Sequence, residues 1–288
     1  MRKSIQLFDW QEDIEKEKRN SIGNDLILLE KPMIKSTFQY PFKTDMVTAQ
    51  ICLSGKTEGF INLKPYCSTA SSLTIMMPDQ ILQHKQMSED FTGLFIIMSK
   101  KFISNLNIQS APPLFISVND NPVIQLTDAE LKSTITYYNM LKEAIQRTDN
   151  RYRMETVKHL TLAFFYGTSY AIHNVSEENN KSKHKILANN FLDLVKKHYK
   201  QERNIGFYAD KLCITPKYLS SLIKKNTDRS ANDWIDRYVI LEAKALLKST
   251  NMTIQQISDE LNFPSQSFFG KYFKRFTNIS PREYKKLP

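Results

Sequence analysis

Two stretches decide how the last third of the chain reads: Phe207–Lys225, FYADKLCITPKYLSSLIKK, and Gln255–Lys286, QQISDELNFPSQSFFGKYFKRFTNISPREYKK. They echo each other at an offset of fifty residues. Thr215 aligns with Ser265, Tyr218 with Phe268, Leu219 with Phe269 and Ser220 with Gly270. Ile223 then meets Phe273, Lys224 meets Lys274, Lys225 meets Arg275, Thr227 meets Thr277, Asp228 meets Asn278, Ser230 meets Ser280 and Trp234 meets Tyr284. Self-similarity at a fixed period marks one supersecondary unit present twice.

Each copy reads as helix, tight turn, helix. In the first, Ile205–Cys213 forms a short helix and Thr215 caps the next, with Pro216 at a position where its missing N–H costs nothing. Leu219, Leu222 and Ile223 recur at i, i+3, i+4 and share one side, leaving Lys217, Ser220, Ser221 and Lys224 on the other. In the second, Thr253–Leu261 precedes a helix capped by Ser265. Phe269, Tyr272, Phe273 and Phe276 are expected inward, and Gln266, Ser267, Gly270, Lys271 and Lys274 outward. Asp228 and Asn278 end the two helices and tolerate the left-handed conformation of a C-cap. Asn232–Lys248 reads as one amphipathic helix joining the copies, and Cys213 is expected to pack at a helix end.

Charge follows the same division. The chain of 288 residues carries a net +10, and residues 185–288 hold 19 basic against 10 acidic side chains, a net of +9. The rest holds 21 against 20. A basic surface concentrated in one domain suits a polyanion, since each neutralised phosphate releases counterion. A short capped helix with a small, polar outer face is what entry into the major groove requires: Gln bonds adenine edges, and Lys reaches guanine or phosphate. Any amphipathic helix shows water such a face; two copies in one basic domain point to double-stranded DNA.

The two quoted stretches resemble the DNA-binding domain of the AraC/XylS family of transcriptional regulators. Phe263, Ser265, Gln266, Ser267, Phe269, Phe273, Lys274, Ser280, Pro281 and Tyr284 stand where that family's signature has them, over about a third of the chain. The resemblance implies base contacts from Lys217, Ser220 and Ser221 in the first copy and from Gln266, Ser267, Gly270 and Lys271 in the second. Lys224, Lys225, Lys274 and Arg275 come later on their helices, where phosphates are expected, and Arg237 on the joining helix matches a family position. The chain departs from the family at Asp228 and Asn278, where glycine is usual, at Ser258, where alanine is usual, and at Val239, where arginine is frequent.

Upstream, Asn174–His184 has one apolar residue in eleven and reads as an exposed linker over 174–184. Residues 1–173 read strands first, β-rich to about residue 118, then two helices. Met46–Leu53 and Phe60–Leu63 are expected to form a hairpin around Gly55, with further strands at Ser72–Met77 and Phe91–Met98. Short strands at this spacing suggest a small barrel or sandwich. Thr127-Asp128-Ala129-Glu130 is a capping box opening a helix to about Arg147, and a second helix runs from about Tyr152 to Ile172. Its nearly all-round apolar residues, Phe164 among them, are expected to form a dimer interface. The resemblance implies the same order: a cupin-like β-barrel, then dimerising helices. The expected fold is therefore α+β in two domains, with the C-terminal one, 185–288, all-α and made of two helix-turn-helix units joined by a long helix.

Several function classes are excluded on composition. Seven glycines are too few for many phosphate-wrapping loops. Gly55-Lys56-Thr57 looks like the end of a P-loop, but Gln50 stands where its first glycine belongs. Cys52, Cys67 and Cys213 never form C-x-x-C, which fits a reducing cytoplasm. The start, MRKSIQLFDWQED, lacks the apolar core of a secretory leader, and no apolar run is long enough for a membrane span. His84 stands alone in the β region, against the paired histidines of metal-binding cupins, so no metal or other cofactor is expected. A methyl-accepting DNA-repair enzyme would need a reactive cysteine cluster that this chain lacks. Tyr66, Cys67, Gln83 and His84 are the candidate lining of a small-molecule pocket. The reading is a non-enzymatic, cytoplasmic transcription regulator, an activator controlled by a small effector or by homodimerisation, with RNA polymerase as the partner that the resemblance implies. The alternative is a ligand-independent regulator whose N-terminal domain only dimerises.

Overall fold

The structure, a computed structural model, describes residues 18–30, 40–106, 121–176, 183–227 and 229–287, with the backbone alone at 169–176, 183 and 185. Contacts divide the chain into one unit built mainly of Lys43–Glu178 and another built mainly of Asn179–Pro288, smaller N-terminal pieces being shared between them.

Among the described residues of the first unit lie ten strands: β1 (Ser21–Ile22), β2 (Leu26–Leu29), β3 (Phe42–Lys43), β4 (Met46–Ser54), β5 (Lys56–Ile61), β6 (Lys64–Thr69), β7 (Ser72–Met76), β8 (Ile81–Met87), β9 (Thr92–Ser99) and β10 (Val123–Gln125). They form two sheets, ordered β1-β2-β9-β4-β7-β10 and β3-β8-β5-β6. No closed barrel occurs among the described strands, which form a pair of sheets rather than the expected cupin-like barrel. The strand region also outlasts residue 118, because β10 pairs with β7.

The larger sheet is buried on both faces at its centre, which is why β4 reads as a nearly unbroken apolar run. Val47, Ala49 and Ile51 join Leu73, Ile75, Ile96 and the helices in one core. Met46 and Cys52, on the opposite face, pack with Ile27, Leu29, Phe91, Phe95 and Ile97. The hairpin expected around Gly55 does not exist. β4 pairs with β7 and β9, whereas β5 pairs with β6 and β8, so Gly55, at φ +68°, carries the chain from one sheet to the other. A strand, not a P-loop helix, follows it. The hairpin lies one strand later, turning at Asn62-Leu63 between Ile61 and Lys64. Asn62 there takes the left-handed conformation that its short polar side chain tolerates.

A short helix, α1 (Lys100–Ser104), follows β9. Next, α2 (Asp128–Gln146) opens on the expected capping box: Glu130 N donates to Thr127 Oγ1 at 3.3 Å and Thr127 N to Glu130 Oε2 at 2.8 Å. Helix α3 (Arg153–Ser176) runs past its expected end and into the expected linker. Residues 177–182 lie outside the described residues, and α4 (Lys183–His198) covers the far end of that linker. Phe164 and Phe165 are fully buried with Tyr138, Leu141 and Ile145 of α2 in the core beneath the larger sheet. The apolar girth of α3 is therefore used inside its own domain, and Phe164 is unavailable to a dimer. Among the described side chains, the large apolar residues that α2, α3 and the turn between them leave exposed are Met140, Tyr152, Met154 and Tyr166.

From Lys183 on, the described residues of the second unit form helices and turns alone. After α4 come α5 (Ile205–Lys211), α6 (Pro216–Thr227), α7 (Ala231–Ser249), α8 (Ile254–Glu260), α9 (Gln266–Thr277) and α10 (Pro281–Lys286). Both repeats pack on α7, whose Ile235, Tyr238, Val239, Ala243, Leu246 and Leu247 are buried. Val239 is core, which explains an apolar residue at a position where the family frequently has arginine. The sequence reading did not anticipate α4 or α10. Phe191 and Val195 of α4 are fully buried, so this helix completes the core of the first copy.

Among the described residues no helix is long and apolar enough to cross a membrane.

Candidate nucleic-acid interface

The echo seen in the sequence is a structural repeat down to single hydrogen bonds. Thr215 Oγ1 accepts from Tyr218 N and Ser265 Oγ from Phe268 N, each at 3.2 Å, so α6 and α9 are capped alike. At the other end Thr227 Oγ1 bonds Ile223 O and Arg229 O, and Thr277 Oγ1 bonds Phe273 O and Ile279 O. Ser230 then caps α7 as Ser280 caps α10. Asn278 closes α9 in the left-handed conformation, at φ 63°; Asp228 lies outside the described residues.

The offset of fifty holds only for the second helix of each copy. Ile205–Lys211 and Ile254–Glu260 correspond at forty-nine, and so do the left-handed turn residues Cys213 (φ 54°) and Asn262 (φ 53°). The second turn is one residue longer. Cys213 is exposed in its turn rather than packed at a helix end.

The outward faces follow from the buried ones. Leu219, Leu222 and Ile223 are buried in α6, Phe269 and Phe273 in α9. Lys217, Ser220, Ser221, Lys224 and Lys225 are exposed on α6, as are Gln266, Ser267, Lys271, Lys274 and Arg275 on α9. Gly270 is half-buried, and a Cβ added to it would meet nothing within 4 Å, so the fold itself does not require a glycine there. Phe276, expected inward, is 36% exposed; its ring packs at a tilt against Tyr272, centroids 5.1 Å apart, with the Arg275 guanidinium 4.6 Å from it. Tyr272 turns in and donates its hydroxyl to Asp236 at 2.6 Å, and burial pushes its phenol well above the ordinary value.

The expected phosphate contacts divide into two groups. Arg237 Nε donates to Asp233 Oδ2 at 2.8 Å, and Arg275 lies 3.8 Å from Asp236. A phosphate would have to displace or share these carboxylates. Lys224, Lys225 and Lys274 project from exposed positions in the C-terminal half of their helices, where they also complement the helix dipole.

A brace that sequence reasoning missed joins the copies. The segment between α4 and α5 reaches the end of α8 and the turn after it. Glu242, wholly buried in the middle of α7, accepts from Tyr199 Oη at 2.9 Å and from Lys200 Nζ at 3.0 Å. Lys200 also reaches Glu260 at 2.8 Å. Burial alone would lower the Lys200 ammonium, but the two carboxylates outweigh it and hold it above the ordinary lysine value. Arg203 donates to Leu261 O and, at 3.0 Å, to Asn262 O, with its guanidinium 4.0 Å from the Phe263 ring. Asn262 Nδ2 returns a bond to Gln201 O. The only signal in the sequence was an acidic residue, Glu242, within an otherwise apolar helix face.

Of the four pocket candidates of the N-terminal unit, Tyr66 and His84 flank Gly59 on one face of the sheet, and Cys67 and Gln83 do not join them. Tyr66 and Cys67 are consecutive on β6, and Gln83 and His84 on β8, so each pair splits between opposite faces. Tyr66 and His84 both pair with Gly59. Tyr66 is buried, and burial raises its phenol; His84 Nδ1 sits 3.4 Å from Thr57 Oγ1, and burial lowers its imidazole. A Cβ on Gly59 would meet Gln83 O at 2.2 Å, so this close approach requires a glycine. Cys67 is exposed. The structure instead gathers buried polar side chains elsewhere. Gln50 Nε2 donates to Ser68 Oγ, which bonds Ser72 Oγ at 2.9 Å, while the buried Thr74 hydroxyl has no partner.

Comparison with known proteins points to the same region of the sequence. Residues 208–287 match the family described as helix-turn-helix domain. The arabinose operon regulatory protein of Salmonella typhimurium is 32% identical over 82 residues, 28% of this chain and 29% of that protein. The Msm operon regulatory protein of Streptococcus mutans is 26% identical over 110 residues, 38% of this chain and 39% of that one. Among solved structures, the C-terminal domain of AraT, a response regulator from Geobacillus stearothermophilus, is 25% identical over 36% of this chain and 88% of its own, with a TM-score of 0.35. ToxT from Vibrio cholerae matches 90% of this chain and 97% of its own at 17% identity, with a TM-score of 0.42. The C-terminal region is thus an AraC-type helix-turn-helix domain, and its relatives are AraC-family DNA-binding transcription regulators. The chain spans well under half the length of the two operon regulators it matches.

Proposed function

We propose that this protein is a sequence-specific, double-stranded-DNA-binding transcription regulator that uses α6 and α9 together on neighbouring major-groove segments. The observation that carries the reading is the pair of identically capped helices presenting matched basic and polar faces from one braced frame. Lys217, Ser220, Ser221, Gln266, Ser267, Gly270 and Lys271 read base edges; Lys224, Lys225, Lys274, Arg275 and Arg237 hold phosphates. The protein acts by binding rather than catalysis, in the cytoplasm, and as an activator it works through RNA polymerase.

Residues 1–173 form the regulatory part, in the cupin-like role of the family, with 174–184 as the join. Dimerisation through the exposed Met140, Tyr152, Met154 and Tyr166 would bring two readers onto paired sites and raise affinity through effective concentration. An effector would suit the polar cluster of Gln50, Ser68, Ser72 and Thr74, since an orphaned buried hydroxyl costs stability until something bonds it. Such an effector alters DNA binding only by favouring one arrangement of the chain over another.

The test is the affinity of the full chain for DNA across a salt series. With about six or more phosphate contacts, affinity should fall on the order of a thousandfold between 50 and 200 mM salt. A flat response would remove the electrostatic basis of the reading.

A further inference from the structure

Tyr218 and Phe268 occupy equivalent positions, the third residue of α6 and of α9, and both rings are open to solvent, at 44% and 55% exposure. At about 100° per residue, the outward centre of α6 runs through Lys217, Ser221 and Lys224, opposite the buried Leu219. Ser220 lies on one flank of that centre and Tyr218 on the other, at similar angles. In α9 the same construction sets Gly270 against Phe268, on either side of Ser267, Lys271 and Lys274. The resemblance directed attention to the Ser220/Gly270 flank alone.

Burial does not explain the opposite flank. Phe268 touches only the edge of the aromatic cluster, 6.3 Å from Phe263, while Phe269 and Phe273 fill the core. Two copies of the unit keep a large exposed ring at the same place in the first turn, the part of a reading helix that meets base edges. By helical spacing both rings lie beside exposed cations, Lys217 and Lys225 for one, and Lys271 and Arg275 for the other. An apolar ring within a basic face matches the one apolar group displayed in the major groove, the 5-methyl of thymine.

We propose that Tyr218 and Phe268 are specificity-determining residues, each packing its ring on a thymine methyl in its own major-groove segment. The inference rests on the DNA-binding reading above. It predicts a thymine in each half of the preferred site, about one helical turn apart.

The test starts from duplexes that the full-length protein selects out of a random-sequence pool. Each thymine is then replaced by uracil, which removes only the methyl. The unaltered protein should lose about fourfold in affinity at one thymine in each half, the worth of one buried methyl. Phe268→Ala should bind the thymine duplex about tenfold more weakly and abolish the uracil penalty in one half only. Tyr218→Ala should do the same in the other half. Neutral uracil substitution throughout, a site without thymine, or penalties that survive in both variants would overturn the proposal while DNA binding itself stands. A pool from which no sequence is enriched would overturn both. The uracil series uses unaltered protein and so does not depend on either variant folding.

Discussion

The two helix-turn-helix units present similarly capped, basic helices over different interiors. The first turns in four residues, Leu212–Thr215, and packs α6 through the aliphatic Leu219, Leu222 and Ile223. The second turns in five, Leu261–Ser265, with Pro264 as the extra residue, and Phe263, the counterpart of Ile214, packs against Phe269 and Tyr272 with ring centroids at 5.2 and 5.0 Å. The brace also ends on this second turn, through Glu260, Leu261 and Asn262. What the copies share is their caps, their basic C-terminal halves and their exposed first-turn ring. Those shared features lie on or beside the outward face. The base-facing positions differ between the copies, Lys217 against Ser267, Ser220 against Gly270 and Ser221 against Lys271, as two helices that read different bases require.

The comparison can be broken first at the brace. Lys200→Met leaves Glu242 buried in α7 with one cation fewer. Removing one partner of a fully buried pair costs ~3–5 kcal/mol. Lys200 is itself part-exposed and Tyr199 still donates to Glu242, so about 2–3 kcal/mol is expected here, read by denaturant unfolding. A loss near zero would mean that the copies are held by apolar packing alone.

Single outward residues come next. Gln266→Ala should cost ~1–3 kcal/mol on the preferred site and relax the choice at one base position. Lys274→Ala should weaken all sequences about equally and lower the salt slope by roughly one, and Lys224→Ala in the first copy should behave alike. Sequence preference that follows Lys274 instead would mean α9 enters the groove by a different face.

The smallest effect sharpens the comparison of interiors. Ser258 corresponds to Ala209 at the forty-nine-residue offset, and both are fully buried. The Ser258 hydroxyl has no partner, while the backbone carbonyls of both residues accept the same turn bond, from Phe263 N and Ile214 N. Ser258→Ala should therefore stabilise the domain by about 1 kcal/mol, and Ala209→Ser should destabilise it by a similar amount, both read from thermal melts.

The helical domain was legible in the sequence because its signals are local. Caps, a proline at a first helical turn and i, i+3, i+4 apolar spacing all act within a few residues, and the repeat supplied each one twice. The lengthened turn was hidden because the alignment at fifty matches only the second helices. The brace was hidden because Lys200, Glu242 and Glu260 are far apart in sequence. In the strand domain the decisive fact is which strands pair, and that is non-local. Gly55 flanked by two β-rich runs reads as a hairpin, yet the runs belong to different sheets. The apolar girth of α3 reads as a surface seeking a partner, although the partner is the sheet of its own domain.

The central claim is that α6 and α9 engage one duplex at once. Inserting about 5 bp between the two halves of the selected site turns one half to the opposite side of the helix, while 10 bp restores the side and changes only the distance. With the copies fixed on α7 and braced, the affinity of the full chain should fall to the level of a single half-site with the 5 bp insertion, and remain low with 10 bp. Undiminished binding to the 5 bp duplex would contradict simultaneous engagement and leave the two helices as independent readers.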